Sequence, residues 1–93
     1  TAAEVGRYQD MIRSKIRRNI VMPPDVPDSS VAEFKVTLLP GGMVMDAVLM
    51  KSSGITAYDN AAERAIYKAQ PFPLPTDAGL QKMFRELRLT IRP

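Results

Sequence analysis

A chain of 93 residues supports one hydrophobic core, since single cores form in the range of roughly 50 to 200 residues, and 45% hydrophobic with 25% charged residues is an ordinary globular balance. With no Cys and no His, the chain has no thiol nucleophile, Ser/His/Asp triad, imidazole base, zinc finger or His- or Cys-ligated haem, and no apolar run reaches the roughly 20 residues of a membrane-spanning helix. The net charge of +3 is confined to residues 1–22, where Arg7, Arg13, Lys15, Arg17 and Arg18 face only Glu4 and Asp10, while the remainder balances.

Over residues 2–21, Val5, Tyr8, Ile12, Ile16 and Ile20 recur at spacings of three or four with Arg and Lys between them, which predicts an amphipathic helix. Pro23 and Pro24 stop it by removing donors and disfavouring helical geometry before them, so residues 23–30 read as an extended connector. Residues 31–51 predict a β-hairpin. Phe34, Val36 and Leu38 alternate with Lys35, Thr37 and Leu39, Pro40-Gly41-Gly42 supplies the turn, and the run from Met43 to Lys51 folds back antiparallel. Lys51-Ser52-Ser53-Gly54-Ile55 breaks the strand, and Thr56 with Asp59 reads as a capping box for a helix over 57–69. The buried stripe of that helix is Tyr58, Ala61, Ala62, Ala65, Ile66 and Ala69, mostly small side chains that permit close approach to a sheet.

The segment 71–75 alternates Pro with Phe72 and Leu74, an extended path that offers both as pegs for the core. Asp77 can cap a short helix over 77–84, around Leu80, Met83 and Phe84. A last strand over 86–92 alternates Leu87, Leu89 and Ile91 with Arg88, Thr90 and Arg92. The fold class is therefore α+β. A three-stranded antiparallel sheet, the hairpin plus the C-terminal strand, packs against the N-terminal helix and the Ala-rich second helix, with a short third helix, and buries Phe34, Val36, Leu38, Leu87, Leu89 and Ile91 together.

The remaining polar groups do not assemble into chemistry. Asp25 and Asp28 lie in a Pro-rich connector that fixes no carboxylate separation, and Asp59 and Glu63 fall near a helix start, where acids complement the dipole. Ser52 and Ser53 beside Lys51 face opposite sides of a strand end, which favours a polar turn over a nucleophile and base. Gly41-Gly42 precedes a strand rather than the helix that a phosphate loop requires. No catalytic residue, metal ligand or cofactor is assigned, and a non-enzymatic domain is expected. Six Met residues are many for this length; most are expected in the core, with Met43 and Met45, sharing a face of the second strand opposite Val44, as candidates for partner contact.

A small sheet must leave part of an outer edge uncovered, and an open edge invites a foreign strand. The expected docking edge is Leu87, Arg88, Leu89, Thr90, Ile91 and Arg92, where backbone amides supply affinity and Arg88 and Arg92 select acidic partners. The same arginines can instead protect the edge by charge. The basic first helix keeps a nucleic-acid-binding module open as an alternative of a different class, although no aromatic platforms accompany it and a solvated face is the favoured reading.

Tyr8, Ile12, Ile16 and Asn19, followed by FKVTLLPGGMV, KSSG, AYDNAAERAIYKAQPFPLP and FRELRLTIRP, resemble the C-terminal domain of the TolA family over nearly the whole chain. The resemblance implies the TolA/TonB C-terminal-like fold and a periplasmic tip of an inner-membrane-anchored protein of a Gram-negative bacterium. The chain opens on Thr1 and is expected to be a fragment, with the anchor and a long helical spacer upstream. The implied partners are TolB and the lipoprotein Pal, with TolQ and TolR engaged through the anchor. Filamentous phage minor coat proteins and colicins would be parasitic ligands, while nucleic acid and direct membrane contact are not expected of this domain. The implied role is envelope integrity during division. The TonB C-terminal domain, which energises outer-membrane transporters through strand pairing, is similar and remains the nearer alternative, although its early Tyr-Pro pair has only Met22-Pro23 in that region. Some TolA relatives carry a disulfide, which this chain cannot form.

Overall fold

In the computed structural model, which describes residues 1–93, the first helix, α1 (Ala2–Arg18), opens where the Thr1 hydroxyl accepts the Glu4 amide at 3.2 Å. It closes three residues before the expected end at Met22's neighbour Val21. Asn19 leaves the helical turn, and its side-chain amide donates to the Lys15 carbonyl at 2.8 Å, satisfying an acceptor that a further turn would have taken. Ile12 and Ile16 are fully buried, and Val5, Tyr8 and Ile20 pack around them, as the helical spacing requires. Tyr8 meets Phe84 edge to face with ring centroids 6.4 Å apart.

Strands β1 (Ala32–Leu38), β2 (Val44–Lys51) and β3 (Glu86–Ile91) form an antiparallel sheet in the order β2-β1-β3, so the first strand of the hairpin is central. Its alternation is complete: Ala32, Phe34, Val36 and Leu38 are buried, and Glu33, Lys35 and Thr37 lie half-buried on the other face. Helix α2 (Thr56–Lys68) packs against β2, and α1 packs against β3 and α2. Both helices cover one face, where Tyr58, Ala62, Ala65, Ile66 and Ala69 join the strand residues and Phe72 in one core. Burying each large apolar side chain there contributes about 1.5–3 kcal/mol before entropy is counted. The short α3 (Ala78–Lys82) is capped by Asp77, whose carboxylate accepts the Leu80 amide at 3.0 Å; the rest of the expected helix, through Phe84, is a turn.

Three expectations are corrected. Thr56 and Asp59 form no capping box, because α2 starts after Ile55 without a side-chain cap and the Asp59 carboxylate turns back to Ser52 and Ser53. Asp59 is thus a buried turn anchor rather than a solvated helix-end acid. None of the six Met residues is in the core: Met11, Met22, Met43, Met45, Met50 and Met83 are all exposed, since Phe, Ile, Leu and Ala fill the space between sheet and helices. Met43 does not share a strand face with Met45, because it precedes β2 within the turn.

The hairpin turn brings in the proline segment. Gly41 and Gly42 have φ of +92° and +89°, and the Phe72 amide donates to the Gly42 carbonyl at 2.8 Å. Phe72 is thereby placed under the sheet, and the Gln70 side chain reaches the Val44 amide at 2.9 Å.

Candidate functional site

The two outer strands offer different edges. On β3 the register with β1 runs without a break from Ala32 opposite Ile91 to Thr37 opposite Glu86. The Leu38 amide donates to the Arg85 carbonyl at 2.8 Å, one step beyond that register. Antiparallel ladders alternate hydrogen-bonded and non-hydrogen-bonded pairs, so Leu87, Leu89 and Ile91 exchange backbone bonds with β1. The backbone N–H and C=O groups of Glu86, Arg88 and Thr90 then point away from the sheet, and no loop, cap or side chain of the chain hydrogen-bonds to them.

On β2 the ladder is interrupted twice. Met45 and Met50 have no partner in the register, which jumps from Val44 to Asp46 and from Leu49 to Lys51, and each sits at a β-bulge. The first outward amide, that of Val44, is already taken by Gln70. Bulges twist a strand away from regular pairing, so β2 is a blunted edge although it exposes Met45, Val48, Leu49 and Met50.

The residues of the expected docking strand divide accordingly. Leu87, Leu89 and Ile91 are buried, with side chains in the core and backbone groups turned to β1. Arg88 and Thr90 carry the outward backbone groups, and Arg92 lies just beyond the strand end. Glu86 extends the open edge by one outward residue that alternation of side chains does not reveal. Met43 and Met45 are exposed, but at the turn and at a bulge, not on a common strand face.

Charge along β3 is graded. Glu86 stands at its start, Arg88 lies opposite Lys35 on the open face of the sheet, and Arg92 follows its end. Two like charges directly opposite one another are unfavourable, which leaves this part of the face receptive to an acidic neighbour. Helix α1 adds to the field at the far end: Arg13, Arg17 and Arg92, with Thr90 and Ile91, line a recess of about 260 Å³. Arg13 and Arg17 were not among the residues expected here. Each follows a buried isoleucine, Ile12 or Ile16, and that spacing marks one flank of the helix without showing which strand it faces.

The other flank of α1, with Arg7, Lys15 and Arg18, forms a cleft of about 970 Å³ against Pro71 and Pro73. Lys15 there donates to the Pro71 carbonyl at 2.8 Å. The basic residues of α1 are thus split between two flanks rather than gathered in one stripe.

The end of β2 is locked by a polar cluster. The Asp59 carboxylate accepts from the Ser52 hydroxyl, from the Ser53 amide at 3.0 Å and from the Ser53 hydroxyl at 2.7 Å. Burial pushes this carboxyl up, but the hydrogen bonds outweigh it and hold the group below its usual value. Next to it, Tyr58 is buried with a hydroxyl that has no partner. Burial raises this phenol, the Asp59 charge raises it further, and the Arg17 charge opposes both.

Known proteins share this architecture. The solution structure of TolAIII bound to a peptide derived from the N-terminus of TolB is 25% identical, covers 91% of this chain and 71% of its own, and superposes with a TM-score of 0.77. A structure of the TolA C-terminal domain, determined with attention to its hydrophobic cavity, covers 99% of this chain and 92% of its own at 24% identity, with a TM-score of 0.75, and attests the fold alone. The sequence matches none of the curated proteins. The sequence profile described as TonB C terminal matches residues 5–91, from within α1 to the last residue of β3. The chain therefore belongs to the TonB C-terminal family and has a TolA/TonB C-terminal-like domain fold.

Proposed function

We propose that this chain is a non-enzymatic protein-binding domain that captures an extended segment of a partner by strand addition along the outer side of β3. The observation that carries the reading is the regular, bulge-free edge on which the backbone groups of Glu86, Arg88 and Thr90 are left without partners. The related TolAIII, which has been solved with a peptide from the N-terminus of TolB bound to it, supports the reading. A few added backbone hydrogen bonds contribute about 1 kcal/mol each and are offset by a similar cost of ordering each peptide residue. Selectivity therefore rests on side chains, with Arg88 and Arg92 favouring acidic segments and accelerating their association.

The setting of this reading is the periplasmic end of an inner-membrane-anchored protein in the Tol-Pal system. TolB is its first candidate partner, and Pal, phage minor coat proteins and colicins are further ones. TolQ and TolR would act through the anchor upstream. The family description favours a second reading, a TonB-like energy transducer, which would use the same edge for a segment of an outer-membrane transporter. The identity of the peptide that binds separates the two.

The test is a titration of the isotope-labelled domain with a TolB N-terminal peptide, read by backbone amide shifts. The largest shifts are expected at Glu86, Arg88 and Thr90. Thr90→Pro removes an outward donor without touching a β1 ladder bond, so it should weaken binding while the domain stays folded. Unchanged binding by a folded Thr90→Pro protein, or shifts confined to β2, would refute strand addition at β3.

A further inference from the structure

The recess at the end of β3 is built from two elements that are far apart in sequence. Helix α1 contributes Arg13 and Arg17, one turn apart, and the end of the sheet contributes Thr90, Ile91 and Arg92. Three of these five residues are guanidinium groups and none is a carboxylate. Arg17 and Arg92 have no acidic partner within ion-pair distance, and the only ion pair in the chain joins Arg13 to Asp10 at 3.1 Å. Asp10 is 78% exposed in that pair, so water competes strongly for it and the bond is weak. Thr90 belongs both to the recess and to the open edge, which makes the two continuous.

We infer that this recess is a carboxylate subsite of the docking edge, an inference that rests on the reading of β3 as the edge that receives a partner strand. A peptide paired with the outward groups of Arg88 and Thr90 delivers its next residue past the end of β3, between Arg17 and Arg92. Guanidinium groups offer paired N–H donors that match the two oxygens of a carboxylate, which a lysine-lined recess would not do as well. The gradient along the strand agrees, since Glu86 at its start disfavours an acid at the opposite end of the bound segment. Asp10 acts as a built-in competitor that occupies Arg13 until a partner carboxylate arrives. The carboxylate has two possible sources, an Asp or Glu side chain or the C-terminal carboxylate of the segment. The second requires a strand running parallel to β3, because only then does the segment end beside Arg92.

The experiment uses short acetylated peptides of alternating Thr and Val in three forms: a neutral C-terminal amide, the same amide with one Asp near an end, and the neutral sequence with a free C-terminal carboxylate. At low salt, at least one carboxylate form is expected to bind about fivefold more tightly than the neutral form, with the gain shrinking as salt screens it. The form that gains identifies the source. Arg13→Gln combined with Arg17→Gln should erase the difference between charged and neutral forms. Asp10→Asn should strengthen binding of the charged form more than Asp28→Asn, which changes net charge equally at a distance. Equal affinity of all three peptides, or a preference that survives the double Arg substitution, overturns the subsite while leaving strand addition standing. Absence of amide shifts at Arg88 and Thr90 with every peptide overturns the docking edge and the subsite with it.

Discussion

Replacing Asp59 by Ala should be among the most damaging single changes to a polar residue in this chain. The carboxylate takes the Ser52 and Ser53 hydroxyls and the Ser53 amide, while the two hydroxyls themselves accept the Gly54 amide at 3.0 Å and the Ile55 amide at 3.1 Å. Removing it leaves the Ser53 amide without its acceptor. The Ser53 hydroxyl can turn to the Ile55 carbonyl, 3.2 Å away, and the exposed Ser52 hydroxyl can turn to water, so only part of the network is lost. Hydrogen bonds to a charged group are worth about 1.5–3 kcal/mol, and the expected loss is about 2–3 kcal/mol in urea unfolding at neutral pH. The pH dependence follows in sign. A carboxyl held below its unfolded value contributes stability that is complete above about pH 4 and is lost as pH falls through the lower folded value. The gap between the wild-type chain and Asp59→Asn should therefore narrow on acidification. A loss below about 0.5 kcal/mol for Asp59→Ala, the level of an ordinary surface change, would refute the anchoring role, as would a gap that does not change with pH.

Tyr58→Phe removes a buried hydroxyl that has no partner, so thermal unfolding should show no loss and up to about 1 kcal/mol of gain. Because the Tyr58 phenol is raised in the folded chain, its contribution is present below about pH 10 and is lost at higher pH, and the Phe variant should lack that alkaline decline. Gly42→Ala should cost about 2–4 kcal/mol by chemical denaturation, because φ is +89° and an added Cβ would run into the Phe72 carbonyl oxygen and meet its amide nitrogen at 2.9 Å. Met45→Lys and Met50→Lys should each change stability by less than about 0.5 kcal/mol and reduce self-association in light scattering, since both side chains stand exposed at bulges.

Several residues show why the elements were legible and the site only partly so. Phe34, Val36 and Leu38, or Tyr58, Ala62 and Ile66, announce their elements because half-burial imposes a period on neighbouring residues of one segment. The Met residues do not announce their place because their chemistry suits a core or a surface equally, and only the filled space between sheet and helices excludes them. The Thr56 and Asp59 spacing fits a capping box, but three donors in the preceding turn compete for the same carboxylate and win.

Residue order alone suffices for the α+β class, the hairpin with its glycine turn, the small-residue stripe of α2 and the two-sided pattern of β3. Those features are local, and local sterics and burial write them directly into residue order. Tertiary structure alone decided that β1 lies in the middle, that β2 is bulged at Met45 and Met50, and that Glu86, Arg88 and Thr90 face outward. It also brought Arg13 and Arg17 beside Arg92, across most of the chain's length. Strand order and edge exposure depend on which long-range pairs bury the most apolar surface together, and no periodicity within one segment carries that information.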